Sequence, residues 1–377
     1  MRIASVVGAR PQFVKLAVLC RALARQPKLE HRIVHTGQHY DDAMSGSFFR
    51  DLAIAEPHHN LNVRSASHAQ QTAEMIRRLE PVLHSLQPDW VLLYGDTNST
   101  VAGALTAAKM HFKLAHIEAG LRSFNREMPE EINRVVADHL SDLLFCPTST
   151  AIENLQREGL SSRAVLCGDV MYDAILANLE AAERRTGSPA YQWKDRSYAL
   201  ATVHRAENTD NIDRLSSVMH ALERIGSEIY PVVLTVHPRT RKALEELGWT
   251  PEHVSFIPPL SYPDMLLFEK RASMILTDSG GVQKEAYFLR VPCVTLRDET
   301  EWIETLENSC NTLAGASEPN RIFRAARQAT SVGPWGTHYG QGDAGEIIVR
   351  ELIARQKFAT GAGPCLPDRQ FVADVRS

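Results

Sequence analysis

Asp278-Ser279-Gly280-Gly281 lies between an apolar, strand-like run from Met274 to Leu276 and a helical pattern that continues through Glu285. Such a junction suits a phosphate, because two glycines let backbone amides approach closely and a helix N-terminus carries partial positive charge. Ser279 adds a hydroxyl. Glu285 follows Gly281 by about one helical turn, near enough to the same helix end to accept hydrogen bonds from a ribose diol. A lone Ser-Gly-Gly also fits an ordinary tight turn with a salt-bridged Glu. His237 and Arg239 follow another strand-like run and offer donors suited to a diphosphate, although a surface Arg is commonly just solvated. Neither G-x-G-x-x-G nor G-x-x-x-x-G-K-[ST] occurs at the strand-to-helix turns, which argues against a nicotinamide cofactor and lowers the case for phosphoryl transfer. No cofactor is expected.

A second group of residues is acidic. Asp96 follows the strand-like Trp90 to Tyr94, and Glu118 follows Leu114 to Ile117, so adjacent strands would bring two carboxylates to one edge of a sheet. Glu130 belongs to Pro129-Glu-Glu-Ile-Asn-Arg134, where Pro at the first helical position and Glu in the first turn mark a helix start. Glu130 and Arg134 are four apart and are expected to share a face, which also fits a plain i,i+4 ion pair. Taken singly, Asp96 and Glu118 also read as caps or loop acids. With Arg10, Lys15 and His204 on other strand-end loops, the set suits acid–base work on a sugar held by a nucleoside diphosphate. Breaking its C1–O bond develops positive charge at C1 and makes the C2 proton removable, and carboxylates could stabilise that charge and move that proton.

The elements that must position these residues alternate along the whole chain. Ile3 to Val7, Arg32 to His35, Trp90 to Tyr94, Leu114 to Ile117, Leu143 to Cys146 and Val165 to Cys167 read as strands separated by longer helical patterns. A second series follows: Tyr198 to Val203, Val232 to Val236, Val254 to Ile257, Met274 to Leu276 and Cys293 to Leu296. The expectation is an α/β chain of two Rossmann-like domains facing a central cleft. The first, residues 1–168, carries the carboxylates; the second, 169–360, carries the phosphate turn; 361–377 form an irregular tail. The amphipathic helix from Ala344 to Arg355 is expected to pack back toward the first domain. A length of 377 residues suits two domains, and 44% hydrophobic with 23% charged residues is an ordinary globular composition. A net charge of -4 points to no nucleic-acid partner. Six scattered cysteines, none in a C-x-x-C pair, read as buried thiols in a reducing compartment. No metal site is indicated. The N-terminal apolar run is too short for a signal peptide and no segment reaches the length of a membrane span, so a cytoplasmic protein is expected.

Seven segments in order resemble the non-hydrolysing UDP-N-acetylglucosamine 2-epimerase family over nearly the whole chain. They are Val7-Gly-Ala-Arg-Pro-Gln-Phe-Val-Lys15, Thr36-Gly-Gln-His39, Tyr94-Gly-Asp-Thr97, His116-Ile-Glu-Ala-Gly-Leu-Arg122, Pro129-Glu-Glu-Ile-Asn-Arg134, His204-Arg-Ala-Glu-Asn208 and Thr277-Asp-Ser-Gly-Gly-Val-Gln-Lys-Glu-Ala286. The resemblance implies a GT-B-like pair of domains, usually a homodimer without metal. It assigns Asp96, Glu118 and Glu130 to acid–base and charge-stabilising roles and His204 to the leaving diphosphate. Arg10, Lys15 and Arg134 would support phosphates or carboxylates, while Ser279, Gly280, Gly281 and Glu285 would hold UDP. The implied reaction is anti elimination of UDP to a 2-acetamidoglucal and re-addition with C2 inverted. Gln38, His39 and Arg64 are candidates for the allosteric UDP-GlcNAc site that simpler members use. Arg122-Ser-Phe-Asn-Arg-Glu-Met128, Asn208-Thr-Asp-Asn211 and Glu301-Trp-Ile-Glu304 are more similar to the branch acting on UDP-2,3-diacetamido-2,3-dideoxyglucuronate, whose acidic C6 group Arg126 or Arg205 could meet. A GT-B glycosyltransferase, a hydrolysing epimerase and a non-catalytic nucleotide-sugar sensor are the competing readings.

Overall fold

The computed structural model describes residues 1–38, 49, 52, 54–184, 187–329 and 333–359, without the side chains of 239 and 357–359. Short β-branched, apolar runs become strands, and those at the centre of each sheet are buried on both faces. The first seven are β1 (Arg2–Val7), β2 (Glu30–His35), β3 (His59–Asn60), β4 (Trp90–Tyr94), β5 (Lys113–Ile117), β6 (Leu143–Cys146) and β7 (Ala164–Leu166). They form one parallel sheet in the order β3-β2-β1-β4-β5-β6-β7. The two-residue β3 carries no apolar alternation, and the sequence offers no sign of it.

A second parallel sheet contains β8 (Ala199–Thr202), β9 (Val232–Thr235), β10 (Val254–Ile257), β11 (Met274–Thr277), β12 (Cys293–Thr295) and β13 (Asn311–Leu313), in the order β10-β9-β8-β11-β12-β13. In both sheets the chain runs outward on one side of the first strand and then returns to continue on the other. The crevices beside β1/β4 and β8/β11 are therefore switch points, where ligands of such sheets bind beyond the strand ends.

Helices cover the sheets. In the first half they are α1 (Arg10–Ala24), α2 (His68–Leu86), α3 (Asn98–Lys109), α4 (Pro129–Leu140) and α5 (Ser149–Arg157). Then come α6 (Val170–Glu183), α7 (Ala206–Thr209), α8 (Ile212–Glu228), α9 (Pro238–Glu246), α10 (Tyr262–Arg271), α11 (Gly280–Phe288), α12 (Pro319–Gln328) and α13 (Ala344–Ala359). Among them, α6 packs on α1 as well as on α10 and α11, so it joins the two halves.

The last helix does return to the first half. Ala344, Ile348, Val349 and Leu352 share an apolar core with Val18, Ala22 and Leu23 of α1. Asp173 of α6 holds the start of that helix by accepting from the amides of Ala344 (3.2 Å) and Gly345 (2.9 Å). Among the described residues no helix is long and apolar enough to cross a membrane, and no group of His, Cys, Asp and Glu is arranged for a metal ion. Cys146, Cys167, Cys293 and Cys310 are buried thiols and Cys20 is half-buried, whereas Cys365 lies outside the described residues.

Candidate active site

Gln12 shapes the first turn of the N-terminal half. Its Oε1 accepts from the amides of Gly8 (2.8 Å) and Ala9 (3.0 Å), satisfying two backbone donors at the start of α1. Its Nε2 donates to the carbonyl of Tyr94 at 2.8 Å, so the turns after β1 and β4 are locked together. A Cβ on Gly8 would lie 1.9 Å from Thr36 Oγ1, hence the glycine at this position. Arg10 and Pro11 thereby stand at the strand edge that faces the second half.

The turn after β11 opens a helix, as its sequence suggests. Ser279 caps α11, with its hydroxyl accepting from the Val282 amide, and Gly280 and Gly281 open the helix. Asp278 does not point outward. Fully buried, it accepts from the amides of His204 (3.0 Å) and Arg205 (3.0 Å) and from Asn208 Nδ2 (3.1 Å). The Nδ1 of His204 lies 3.1 Å from the same carboxylate. Burial would raise the Asp278 pKa, but these donors hold it below the ordinary value. The β8 loop with His204 is thus braced on the β11 turn.

Between these parts lies a cavity of about 340 Å³, lined by Arg10, Pro11, His204, His237, Ser279, Gly281, Tyr262 and Glu285 among others. It sits at the β8/β11 switch point and gathers the residues expected to bind the nucleotide apart from four, one of which, Arg134, is paired with Asp96. Gly280 adjoins it, Lys15 lies elsewhere, and the side chain of Arg239 is outside the described residues. The lining residue Glu285 has a neighbour the sequence did not suggest. The fully buried Glu269 sits beside Glu285, and burial first, then that neighbouring carboxylate, push Glu269 well above the usual range. Burial also raises Glu285, with Arg10 opposing. A carboxyl whose pKa rises on folding favours the native state at low pH and costs stability as pH climbs past its unfolded value, about 4.3. Glu269→Gln should therefore raise the Tm at pH 8 by several degrees, about what 1–2 kcal/mol gives a domain of this size, and leave it unchanged near pH 4 in thermal melts.

Asp96, Glu118 and Glu130 are not in the lining of this cavity. Glu118 has φ +73°, a left-handed conformation that favours glycine and that persists in a non-glycine residue only where its surroundings enforce it. Its carboxylate is buried and bonds both Lys15 Nζ and, at 2.7 Å, Lys284 Nζ. Lys15 is thus paired with a carboxylate. Burial alone would raise Glu118, but the two ammoniums outweigh it and hold the carboxyl well below the usual range. Lys284 also bonds Asp169, the N-cap of α6, at 2.7 Å and lies 3.7 Å from the Trp302 ring centroid. A Cβ on Gly95 (φ +60°) would lie 3.0 Å from Lys15 Nζ and 3.1 Å from Glu118 Oε2, which places Asp96 next to this cluster in the chain.

Asp96 is paired with Arg134, whose Nη2 lies 2.5 Å from Asp96 Oδ2. The expected Glu130–Arg134 pair is not the one α4 makes. Arg134 is buried and its second partner is Glu131 at 3.1 Å, an i,i+3 pair on the inward face, while Glu130 stays half-buried at the helix start. Glu131 also accepts from the amides of Ser123 (2.9 Å) and Phe124 (3.0 Å), so it holds the loop before α4. Behind the carboxylates, His116 Nε2 bonds the Gly95 carbonyl at 2.7 Å and its Nδ1 bonds Asp138 at 2.7 Å.

The residues proposed for an allosteric site are not gathered at this cavity. Gln38 Oε1 accepts from the hydroxyl (2.8 Å) and amide (3.2 Å) of Ser99, Arg64 is exposed on the segment before α2, and His39 lies outside the described residues. Arg126 is exposed and Arg205 is half-buried. Lys284, Asp169, Glu269 and Tyr262 are site residues that sequence reasoning passed over. Lys284 stood inside the Gln-Lys-Glu run, and its charge on the inward side of a helix next to Glu285 was the available signal.

Comparison with known proteins agrees with this architecture. A sequence model of the family described as UDP-N-acetylglucosamine 2-epimerase matches residues 21–353. The chain is 48% identical, over 93% of its length and 99% of the relative, to the UDP-2,3-diacetamido-2,3-dideoxy-D-glucuronate 2-epimerase of Pseudomonas aeruginosa. It is 45% identical, with the same coverage, to a UDP-N-acetylglucosamine 2-epimerase homolog of Methanococcus maripaludis. Among solved structures, UDP-GlcNAc 2-epimerase of Methanocaldococcus jannaschii in complex with UDP-GlcNAc and UDP superposes with a TM-score of 0.88 at 41% identity, covering 94% of this chain and all of that one. The two Rossmann-like halves, the turn at the β8/β11 switch point and these full-length matches agree: the chain belongs to the UDP-N-acetylglucosamine 2-epimerase family of isomerases.

Proposed function

We propose that the protein interconverts UDP-GlcNAc and UDP-ManNAc by anti elimination of UDP and re-addition to the opposite face of C2, supplying precursors of surface polysaccharides. A cytoplasmic location and a homodimer belong to the same proposal. The observation that carries it is the position of α11. Its N-terminus faces a cavity lined by Arg10, His204, His237 and Glu285, and one turn later its Lys284 grips a carboxylate of the other half.

The diphosphate is taken by the amides of Ser279 to Gly281 with Arg10, His204 and His237, and the ribose by Glu285. As the C1–O bond breaks, its electron pair leaves with UDP, and these donors stabilise the charge. The ionised Glu118, with Asp96 and Glu130, faces the positive charge developing at C1, and one of the three carboxylates takes the C2 proton as the C1=C2 bond forms. In re-addition UDP returns to C1 on the face it left, while a second acid of the set delivers a proton to the opposite face of C2, so that C2 alone is inverted. Because α6 and α11 join the halves, closing them over the sugar would keep UDP and the glucal together between steps.

Incubation with UDP-GlcNAc in heavy water, followed by NMR, is expected to give UDP-ManNAc with deuterium at C2 and no need of an acceptor. Strict dependence on an acceptor would point to a glycosyltransferase, free ManNAc to a hydrolysing epimerase, and an unchanged pool would remove this substrate. A second reading, the same reaction on UDP-2,3-diacetamido-2,3-dideoxyglucuronate, is supported by the 48% identical relative. The same assay with that sugar decides between them.

A further inference from the structure

We propose that Lys284 is a positioning residue for this reaction, holding Glu118 in place and ionised from the same helix that receives the diphosphate. The inference rests on the epimerase reading. Its basis is a buried group of four: Glu118 at the end of β5, Lys15 of α1, Lys284 of α11 and Asp169 capping α6. Two carboxylates face two ammoniums, and all four side chains are at least nine-tenths buried. Charge balance is close to obligatory there, since an uncompensated buried charge is costly.

Lys284 is the member that reaches furthest. It belongs to the second half, whereas Glu118 and Lys15 belong to the first and Asp169 stands at the crossover between them. Its ammonium has an acceptor on either side and the face of Trp302 at 3.7 Å, so its position is determined from three directions. Burial would favour losing its proton, yet Asp169 and Glu118 raise its pKa further. Glu285, the next residue, lines the cavity, so nucleotide contacts and the grip on Glu118 share one helical turn.

Removing the ammonium leaves two buried carboxylates and only Lys15 to balance them. One carboxyl must then take up a proton at a higher pH than before. Glu118, Asp169, Lys15 and Lys284 are the charged groups facing this point, with Glu285 adjacent to Lys284.

The test compares wild type with Lys284→Met, Lys284→Arg and the double variant Lys284→Met/Asp169→Asn, which restores neutrality around Glu118 and Lys15. For Lys284→Met the expected results are a fall in kcat of about 30-fold or more at pH 7, KM within about threefold, and an acid limb of the kcat profile shifted upward by about one pH unit. The double variant is expected to regain at least half of that shift, and Lys284→Arg to keep the wild-type profile. In melts from pH 8 to pH 5, the Tm gap between wild type and Lys284→Met should narrow as pH falls, because the extra buried carboxylate is neutralised. An unshifted acid limb in both the single and the double variant, or a Tm gap independent of pH, overturns the inference. If Lys284→Met does not fold, a folded double variant supports the inference through the restored neutrality, and failure of both to fold while Asp169→Asn alone folds overturns it. Wild type lacking C2 exchange with either sugar would sink the functional proposal instead, and the Tm comparison would still decide whether Lys284 keeps the group ionised.

Discussion

Asp96→Asn is expected to lower turnover of the UDP-sugar by about two orders of magnitude or more while UDP affinity stays within a few-fold of wild type. The side chain is partly exposed and bonds Arg134 through a single oxygen, so an amide of the same shape can keep a hydrogen bond to the guanidinium. Folding should be little disturbed. What the amide cannot do is carry negative charge next to Glu118 or accept a proton. Because Asp96 is not in the lining of the cavity where the nucleotide is proposed to bind, affinity for UDP should not follow turnover down. Steady-state kinetics in parallel with calorimetric titration of UDP checks both halves of the statement. Turnover near the wild-type level would refute the role given to Asp96, and a joint loss of turnover and UDP binding would recast it as a structural support of the cleft.

The second large effect is expected at Asp278. Asp278→Ala removes a buried acceptor from two amides, the Asn208 side chain and the His204 ring. Leaving these donors unpaired should cost about 3–5 kcal/mol of stability. With the β8 loop no longer braced, His204 leaves the cavity wall and UDP affinity should fall by about ten- to a hundredfold, each tenfold being 1.4 kcal/mol. Since folding lowers the Asp278 pKa, its contribution is fully present above the unfolded value of about 3.9 and is lost as pH falls through the lower folded value. The stability gap to wild type should therefore be constant from pH 5 to pH 8 and shrink below about pH 4. Chemical denaturation across that range measures it. A variant with wild-type UDP binding would show that the β11 turn holds its shape without the carboxylate.

Both predictions concern residues whose positions were visible before any coordinates. Strands Trp90–Tyr94 and Leu143–Cys146 stand where their apolar runs ended, because a strand buried on both faces has to be apolar throughout. The helix of Ala344 extends to Ala359, past the Arg355 at which its sequence pattern fades. Ser279 and the two glycines were legible as a helix opening because hydroxyl, missing Cβ and helix dipole act within four residues of one another.

Long-range partner choice was not legible in the same way. Spacing on α4 offered Arg134 to Glu130, yet burial turned it toward Asp96, 38 residues away, and toward Glu131. The spacing rule describes an isolated helix in water, whereas a guanidinium taken out of water pairs with whichever carboxylates the neighbouring strands deliver. Lys15 looked equally fit for a phosphate, and only the closeness of the turns after β1, β4 and β5 gave it Glu118. Local order thus decided the strands, the helices, the helix opening at Ser279 and the family, since each depends on periodicity or on contacts a few residues apart. The tertiary structure decided which charges neutralise which. That choice depends on burial and on the meeting of segments far apart in the chain, as when Lys284 closes on Glu118 across 166 residues.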